Sequence, residues 1–164
     1  MRTIDTKEVA KAVYDLAIKA CVQLTPACKA ALKDAEKTED EGAAKFALST
    51  LIENYTAAER DELPVCQDTG MAVVILEIGQ DVHLVGEPLE EAVNGAVRSA
   101  YADGYFRKSI CDPITRENTG DNTPAAIHTH ICRGEHINIT FLPKGFGSEN
   151  MSALYMLKPA QGTT

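Results

Sequence analysis

The sequence predicts an α+β fold in which a helix-rich N-terminal region packs against a small mixed or antiparallel sheet. Three patterns predict it. Apolar residues recur at helical spacing in residues 9–24 and 44–58, a β-branched apolar run occupies residues 71–78, and apolar and polar residues alternate in two segments within residues 127–142. The length of 164 residues suits a single domain, residues 1–164.

Three helices are predicted before Pro64, which would end the last of them. The first runs from Thr6 to about residue 24 and is capped by Asp5 or Thr6 itself. The second starts at Thr25-Pro26, because threonine suits an N-cap and proline suits the first helical position, and it continues to about Lys37.

The third helix follows the acidic segment 38–41. Cys21 and Cys28 fall on the first two helices, and we expect both to be small buried hydrophobic residues. Five cysteines without a C-x-x-C pair do not suggest a disulfide framework.

The run Met71–Ile78 predicts a strand buried on both faces, and Val82–Val85 predicts a second, short strand after a turn. A fourth amphipathic helix opens after Pro88, and Gly104 is expected to end it in a left-handed cap. The polar residues 105–124 form a long loop, which in a compact domain is more often functional than idle.

Residues 127–132 and 136–142 alternate in period two around Arg133-Gly134-Glu135, which predicts an antiparallel hairpin. A glycine-bearing turn at residues 143–150 then leads to Met151–Leu157, a candidate helix. Glycines before a helix can present backbone N–H groups to an anion, although this signal alone is weak.

The net charge of −8 opposes non-specific binding to nucleic acid and to anionic membranes. The chain has no apolar run long enough for a membrane span, and residues 1–7 lack the features of a secretory signal. We therefore expect a cytoplasmic protein that has neither nucleic acid nor membrane as a partner.

The loop between the third helix and the first strand carries four different functional groups in a row: the Cys66 thiol, the Gln67 amide, the Asp68 carboxylate and the Thr69 hydroxyl, closed by Gly70. Such a loop could bind a ligand. It could also be an ordinary turn beside a packed cysteine, because aspartate and glycine favour turns for backbone reasons. Spacing alone leaves both interpretations open.

Several motifs, in order along nearly the whole chain, resemble the N-terminal part of class I fumarate hydratases and L-tartrate dehydratases. The short N-terminus is most similar to the alpha subunit of the two-subunit type. The motifs are Cys66-Gln67-Asp68-Thr69-Gly70-Met71, Gly79-Gln80-Asp81-Val82, Arg107-Lys108-Ser109, residues 118–124 and residues 144–152.

The resemblance implies an oxygen-sensitive hydro-lyase with a [4Fe-4S] cluster, held by three cysteines and open to substrate at the fourth iron. It identifies Cys66 as the first cluster ligand and Asp68 as a catalytic carboxylate that assists a threonine of the partner subunit in proton transfer. Gln67 and Asp68 would line the substrate pocket. Arg107, with Lys108 as the near alternative, would bind a substrate carboxylate, and the Gly147 turn would meet the other end of the substrate.

In this family the other two cluster cysteines and a substrate-facing histidine lie beyond the position of Thr164. We therefore expect the chain to be about half of an alpha subunit, to work with a beta subunit or C-terminal domain on a small dicarboxylate, and to self-associate. The cluster would belong to the complete enzyme. The 164-residue polypeptide alone would lack a stable cluster and hydratase activity.

Three alternatives remain. The chain could be a non-catalytic module for assembly or oligomerisation that keeps the family scaffold. A rival cluster ligand set would be Cys66, Cys111 and Cys132. A mononuclear metal site could use His128, His130 and Cys132, but three successive ligands on one strand rarely converge, so a structural role is the preferred interpretation.

Overall fold

The computed structural model describes residues 1–147 and 151–161. It confirms the α+β class. In chain order the elements are β1 (Arg2–Asp5), α1 (Thr6–Val22), α2 (Pro26–Thr38), α3 (Ala43–Asp61), β2 (Met71–Gly79), β3 (Val82–Val85), α4 (Leu89–Asp103), β4 (Ala126–Cys132), β5 (Ile137–Lys144) and a 3₁₀ turn (Pro159–Gln161).

Side-chain caps start the first two helices where the sequence predicted them. Asp5 accepts a hydrogen bond from the Lys7 N–H at 2.9 Å at the start of α1. Thr25 accepts one from the Cys28 N–H at 3.2 Å at the start of α2, with Pro26 in the first helical turn. These caps satisfy N–H groups that the helix itself leaves without a partner.

The larger sheet has the order β4-β2-β5, with β2 parallel to β4 and antiparallel to β5. The predicted hairpin between β4 and β5 is therefore wrong, because β2 lies between the two arms. The intervening turn instead crosses the end of β2, where the Gln80 N–H donates to the Cys132 carbonyl and the Asp81 N–H donates to the Gly134 carbonyl. A tight turn in the sequence does not reveal whether its arms pair directly or flank an earlier strand.

A second, two-stranded parallel sheet joins β1 to β3. The predicted strand at β3 is confirmed, whereas β1 was not predicted. Four residues that include Arg2 and Asp5 are too few to display an alternating pattern.

The core lies between helices α1 and α4 and one face of β2. Alternate residues of β2, including Val74 and Leu76, are fully buried. Val73 and Ile75 on the opposite face are only partly buried, and Glu77 is exposed. The prediction of a strand buried on both faces is thus wrong for one face, because no element of the described residues packs over it as the helices pack over the other.

Cysteine burial follows helix packing. Cys21, on α1, is buried as predicted. Cys28 is exposed, contrary to prediction, because α2 buries none of its side chains. The start signals at Thr25-Pro26 located α2 but did not show how little of it is covered.

Two predictions about helices are also wrong. Gly104 has φ −79°, so it is not a left-handed cap; the following residue, Tyr105, takes the positive value of 53°. The candidate helix Met151–Leu157 is absent, since residues 152–158 have no regular structure. The turn residues Ser148, Glu149 and Asn150 lie outside the described residues.

Across residues 1–147 and 151–161, no helix combines the length and the apolar character that crossing a bilayer requires.

Candidate functional site

The loop that carries Cys66 is fixed on both sides. Before it, the Val65 N–H donates to the Cys21 carbonyl at 2.9 Å, and the Asn54 side chain donates to the Val65 carbonyl at 2.8 Å. After it, the buried Thr69 is held through its carbonyl, which accepts a hydrogen bond from the Tyr101 hydroxyl at 3.1 Å. Cys66 itself remains exposed between these two attachment points.

Burial widens the pH range over which the Tyr101 hydroxyl is a neutral donor. Desolvation raises the pKa of its phenol, and the nearby Cys21 raises that pKa further. Burial also raises the pKa of the Cys21 thiol to about 11, an effect that a hydrogen bond with Tyr101 partly offsets. Both groups are therefore protonated at neutral pH, and the Tyr101 hydroxyl keeps its proton for the Thr69 carbonyl.

The carboxylate of Asp68 connects three segments of the chain. Its Oδ1 accepts hydrogen bonds from the Gly70 N–H at 3.1 Å and from the Ser109 hydroxyl at 3.2 Å. Its Oδ2 accepts one from the Phe146 N–H at 3.0 Å. Donors on both oxygens fix the position and the plane of the carboxylate before any ligand arrives.

Asn122 lies beneath these loops and is fully buried. Its Oδ1 accepts hydrogen bonds from the Ser109 N–H at 2.7 Å and the Ile110 N–H at 3.3 Å, while its Nδ2 donates to the Gly70 carbonyl at 3.1 Å. Sequence reasoning did not single out this residue. Its only signal was its place in the polar run 118–124, which does not show which member is buried.

Gly70 allows the loop to approach the end of β5. Its φ is +63°, and a Cβ at this position would lie 2.0 Å from the Lys144 carbonyl oxygen. Only glycine satisfies both the backbone conformation and the close contact. The loop is thereby held beside the turn that carries Phe146.

Arg98 and Asp121 secure the far end of the long loop against α4. The Arg98 Nε lies 2.8 Å from the Asp121 carboxylate, which also accepts hydrogen bonds from the Thr123 hydroxyl and N–H. The Arg98 hydrogen bond, followed by that of the Thr123 hydroxyl, lowers the pKa of Asp121 to about 2. The carboxylate is therefore charged, and this attachment is intact, at neutral pH.

The structure fixes the Arg107 backbone beside the Asp68 loop, whereas other predicted site groups are exposed to solvent. The Thr69 hydroxyl donates to the Arg107 carbonyl at 3.2 Å, which fixes the Arg107 backbone beside the Asp68 loop. In the part of the chain that the structure describes, the Arg107 guanidinium forms no hydrogen bond or ion pair. Gln67 is exposed and accepts only a 3.4 Å contact from the Cys66 thiol among these residues. Gly147 is exposed, and a Cβ there would meet open space.

The residues present do not form a complete metal or cluster site. Among residues 1–147 and 151–161, no three His, Cys, Asp or Glu side chains come together in a way that could hold a metal ion. Neither Cys66 with Cys111 and Cys132, nor His128 with His130 and Cys132, forms such a group. Cys66 offers one accessible thiol, so any cluster would need further ligands from elsewhere.

Two open clefts lie elsewhere on the surface. One is lined by the N-terminal part of α4 and by Thr123 and Pro124, and the other by α1, the end of α3 and the end of α4. Cys66, Asp68 and Arg107 line neither cleft.

Comparison with known proteins identifies the family. Residues 10–164 match the family model described as fumarate hydratase (Fumerase). This chain belongs to the fumarate hydratase (Fumerase) family. Among curated members, it is 37% identical over 162 residues to a putative L(+)-tartrate dehydratase subunit alpha of Methanocaldococcus jannaschii, covering 94% of this chain.

Two other members of the fumarate hydratase family are also similar. A class I anaerobic fumarate hydratase of Escherichia coli is 32% identical over 77% of this chain, and a putative class I fumarate hydratase of Geobacillus stearothermophilus is 26% identical over 90%. The chain spans 56% of the length of the Methanocaldococcus protein, 29% of the Geobacillus protein and 23% of the Escherichia protein.

Proposed function

We propose that this chain forms the N-terminal part of the alpha subunit of a hydro-lyase. The enzyme would reversibly remove water from a hydroxy-dicarboxylate, converting malate to fumarate or tartrate to oxaloacetate. The observation that supports this most strongly is the Asp68 carboxylate, which accepts hydrogen bonds from three segments beside the exposed Cys66 thiol. Membership of the fumarate hydratase family supports the same class of reaction.

The proposed roles follow from the chemistry of each side chain. Asp68, with a threonine of the partner subunit, would move the proton at the carbon next to a substrate carboxylate. The exposed Arg107 would bind a carboxylate, because its planar guanidinium suits bidentate contact. Gln67 would contact the substrate beside it, and the turn at Gly147 would meet the opposite end of the substrate.

The complete enzyme would carry a [4Fe-4S] cluster, and Cys66 would be one of its ligands. When bound, the cluster would supply a Lewis acid for loss of the substrate hydroxyl. Because the described residues bring no further ligand to Cys66, the 164-residue polypeptide alone would hold no stable cluster and would be inactive.

Anaerobic reconstitution of the 164-residue chain with iron and sulfide tests this last point. We expect an absorbance spectrum and iron and sulfide contents well below one cluster per chain, because a single thiolate does not retain a cluster against loss to solvent. One complete cluster per chain would contradict the expectation.

The reaction is tested in an assembled enzyme, here meaning this chain together with the remaining alpha-subunit sequence and a beta subunit of the same family. Under anaerobic conditions, we expect it to dehydrate malate or tartrate. A fully loaded cluster without dehydratase activity would instead support the second candidate, an assembly module. That candidate is favoured by the exposed apolar side chains of the C-terminal segment, which are Met151, Leu154, Tyr155, Met156 and Leu157.

Exposed apolar side chains in two parts of the chain support two proposed partners. A beta subunit or C-terminal domain, or a second copy of the chain, could cover Met151–Leu157 and the exposed Phe46 and Leu51 of α3. A cytoplasmic location would suit an oxygen-sensitive enzyme of this kind. Sedimentation of the chain with and without the other components would separate self-association from subunit pairing.

A further inference from the structure

Ser109 makes two contacts that connect the candidate catalytic carboxylate to the buried interior. Its hydroxyl donates to Asp68 Oδ1 at 3.2 Å, and its backbone N–H donates to the Asn122 side chain at 2.7 Å. It lies two residues after Arg107 on the same loop. A single residue therefore links the Asp68 loop, the Arg107 loop and the fully buried Asn122.

Asn122 has the functional groups that this position needs. Its amide oxygen accepts from the Ser109 and Ile110 N–H groups, and its amide nitrogen donates to the Gly70 carbonyl. Aspartate would lose the donor and bury a charge, and an apolar side chain would leave all three backbone groups without partners. Its φ of +61° is a left-handed conformation that asparagine tolerates better than most residues.

Of the three donors to Asp68 among the described residues, Ser109 alone comes from the Arg107 loop. The Gly70 N–H belongs to the loop of Asp68 itself, and the Phe146 N–H comes from the turn after β5. Removing the Ser109 hydroxyl would thus remove the direct bond that sets the distance between the carboxylate and the Arg107 loop. It would leave the fold of both loops otherwise supported by Asn122 and Thr69.

We propose that Ser109 is a positioning residue for the Asp68 carboxylate and that Asn122 holds Ser109 in place for this role. The inference rests on the proposed function, in which Asp68 handles a proton. Asp68 would be the group that contacts substrate, whereas Ser109 and Asn122 act through it. A displaced carboxylate slows proton transfer without weakening substrate binding in proportion.

The test uses S109A, with S109T as the rescue variant and S99A as the matched control. Ser99 is exposed on α4, and among the described residues its side chain forms no hydrogen bond to the Asp68 or Arg107 loop, so its truncation removes the same atom without touching these contacts. In the assembled enzyme, S109A is expected to lower kcat by about tenfold while KM changes by less than about twofold. S109T restores the hydroxyl and should recover most of kcat, and S99A should match the unmodified enzyme.

A second readout does not depend on activity. In the 164-residue chain, S109A should speed amide hydrogen exchange at Phe146 by about threefold or more, because the carboxylate that accepts this N–H is less firmly held. Unchanged kcat or unchanged exchange in S109A overturns the inference, as does a fall in kcat that S109T fails to restore. Activity that persists in D68N would instead overturn the proposed function itself, so the two failures are distinguishable.

Discussion

Replacing Asp68 with asparagine is expected to lower the kcat of the assembled enzyme by about 10²- to 10⁴-fold, the usual contribution of a positioned acid or base. Asparagine keeps the size of the side chain and one oxygen acceptor. It cannot exchange a proton with the substrate, and its amide nitrogen would face either the Phe146 N–H or the donors Gly70 and Ser109. We therefore expect D68N to lower kcat mainly by removing the proton-transfer group, and only secondarily by disturbing the hydrogen bonds around residue 68.

The structural part of the D68N effect can be measured separately. One donor facing another donor should cost about 1 to 3 kcal/mol of unfolding free energy, which denaturant titration of the 164-residue chain would show. Activity is then compared at a temperature where the variant is fully folded. If D68N retains more than about a tenth of the unmodified kcat there, Asp68 does not carry the proton.

Asn122 is expected to give the largest stability loss among the site residues. N122A removes the partners of the Ser109 N–H, the Ile110 N–H and the Gly70 carbonyl at a fully buried position. Each buried polar group left without a partner costs about 1 to 3 kcal/mol, and some rehydration would reduce the sum. We therefore expect the free energy of unfolding to fall by about 3 to 5 kcal/mol in denaturant titrations.

Asn118 provides the matched control for N122A. It is the same residue type on the same loop, and it also bonds to backbone: its Nδ2 donates to the Lys108 carbonyl at 2.9 Å and its Oδ1 accepts from the Gly120 N–H at 2.7 Å. It is exposed, so water can replace both bonds, and N118A should cost less than about 1 kcal/mol. Equal losses in N118A and N122A would show that burial of Asn122 does not matter.

Helix periodicity predicted the helical part of the fold well. The apolar faces of α1, α3 and α4 repeat at helical spacing over at least four turns, and Asp5 and Thr25 mark two starts by their caps. The exposure of Cys28 could not be predicted, because α2 was located by its start signals alone and makes its contacts with α3 rather than with the core. Periodicity indicates a face and does not indicate how much of it becomes covered.

Strand pairing was harder to predict than strand location. The segment 127–132 is a strand as predicted, and Ile127 pairs with the buried Val74, but burial does not alternate along it, since Ile131 on the predicted apolar face is exposed. The insertion of β2 between β4 and β5 is a non-local choice, made by packing of the whole sheet under α1 and α4. The turn residues between β4 and β5 therefore could not predict that β2 lies between them.

The sequence pointed to the loop residues Cys66 and Asp68 of the candidate site but not to the buried Asn122. Cys66 and Asp68 stand in a short, distinctive loop, and the structure places the Asp68 carboxylate in contact with two other predicted segments. Asn122 lies in a run of turn-forming residues in which any member could be solvent-exposed. Its role depends on three backbone partners that only the folded chain brings together.

The cluster content of C66A in the assembled enzyme tests the central claim most directly, with C28A as the control. Both residues carry exposed thiols, but Cys28 lies on α2 and Cys66 on the loop beside Asp68. After anaerobic reconstitution, C66A should lose most of its cluster absorbance and its iron and sulfide, while C28A should match the unmodified enzyme. A complete cluster in C66A would contradict the assignment of this loop as the part of the site that the chain supplies.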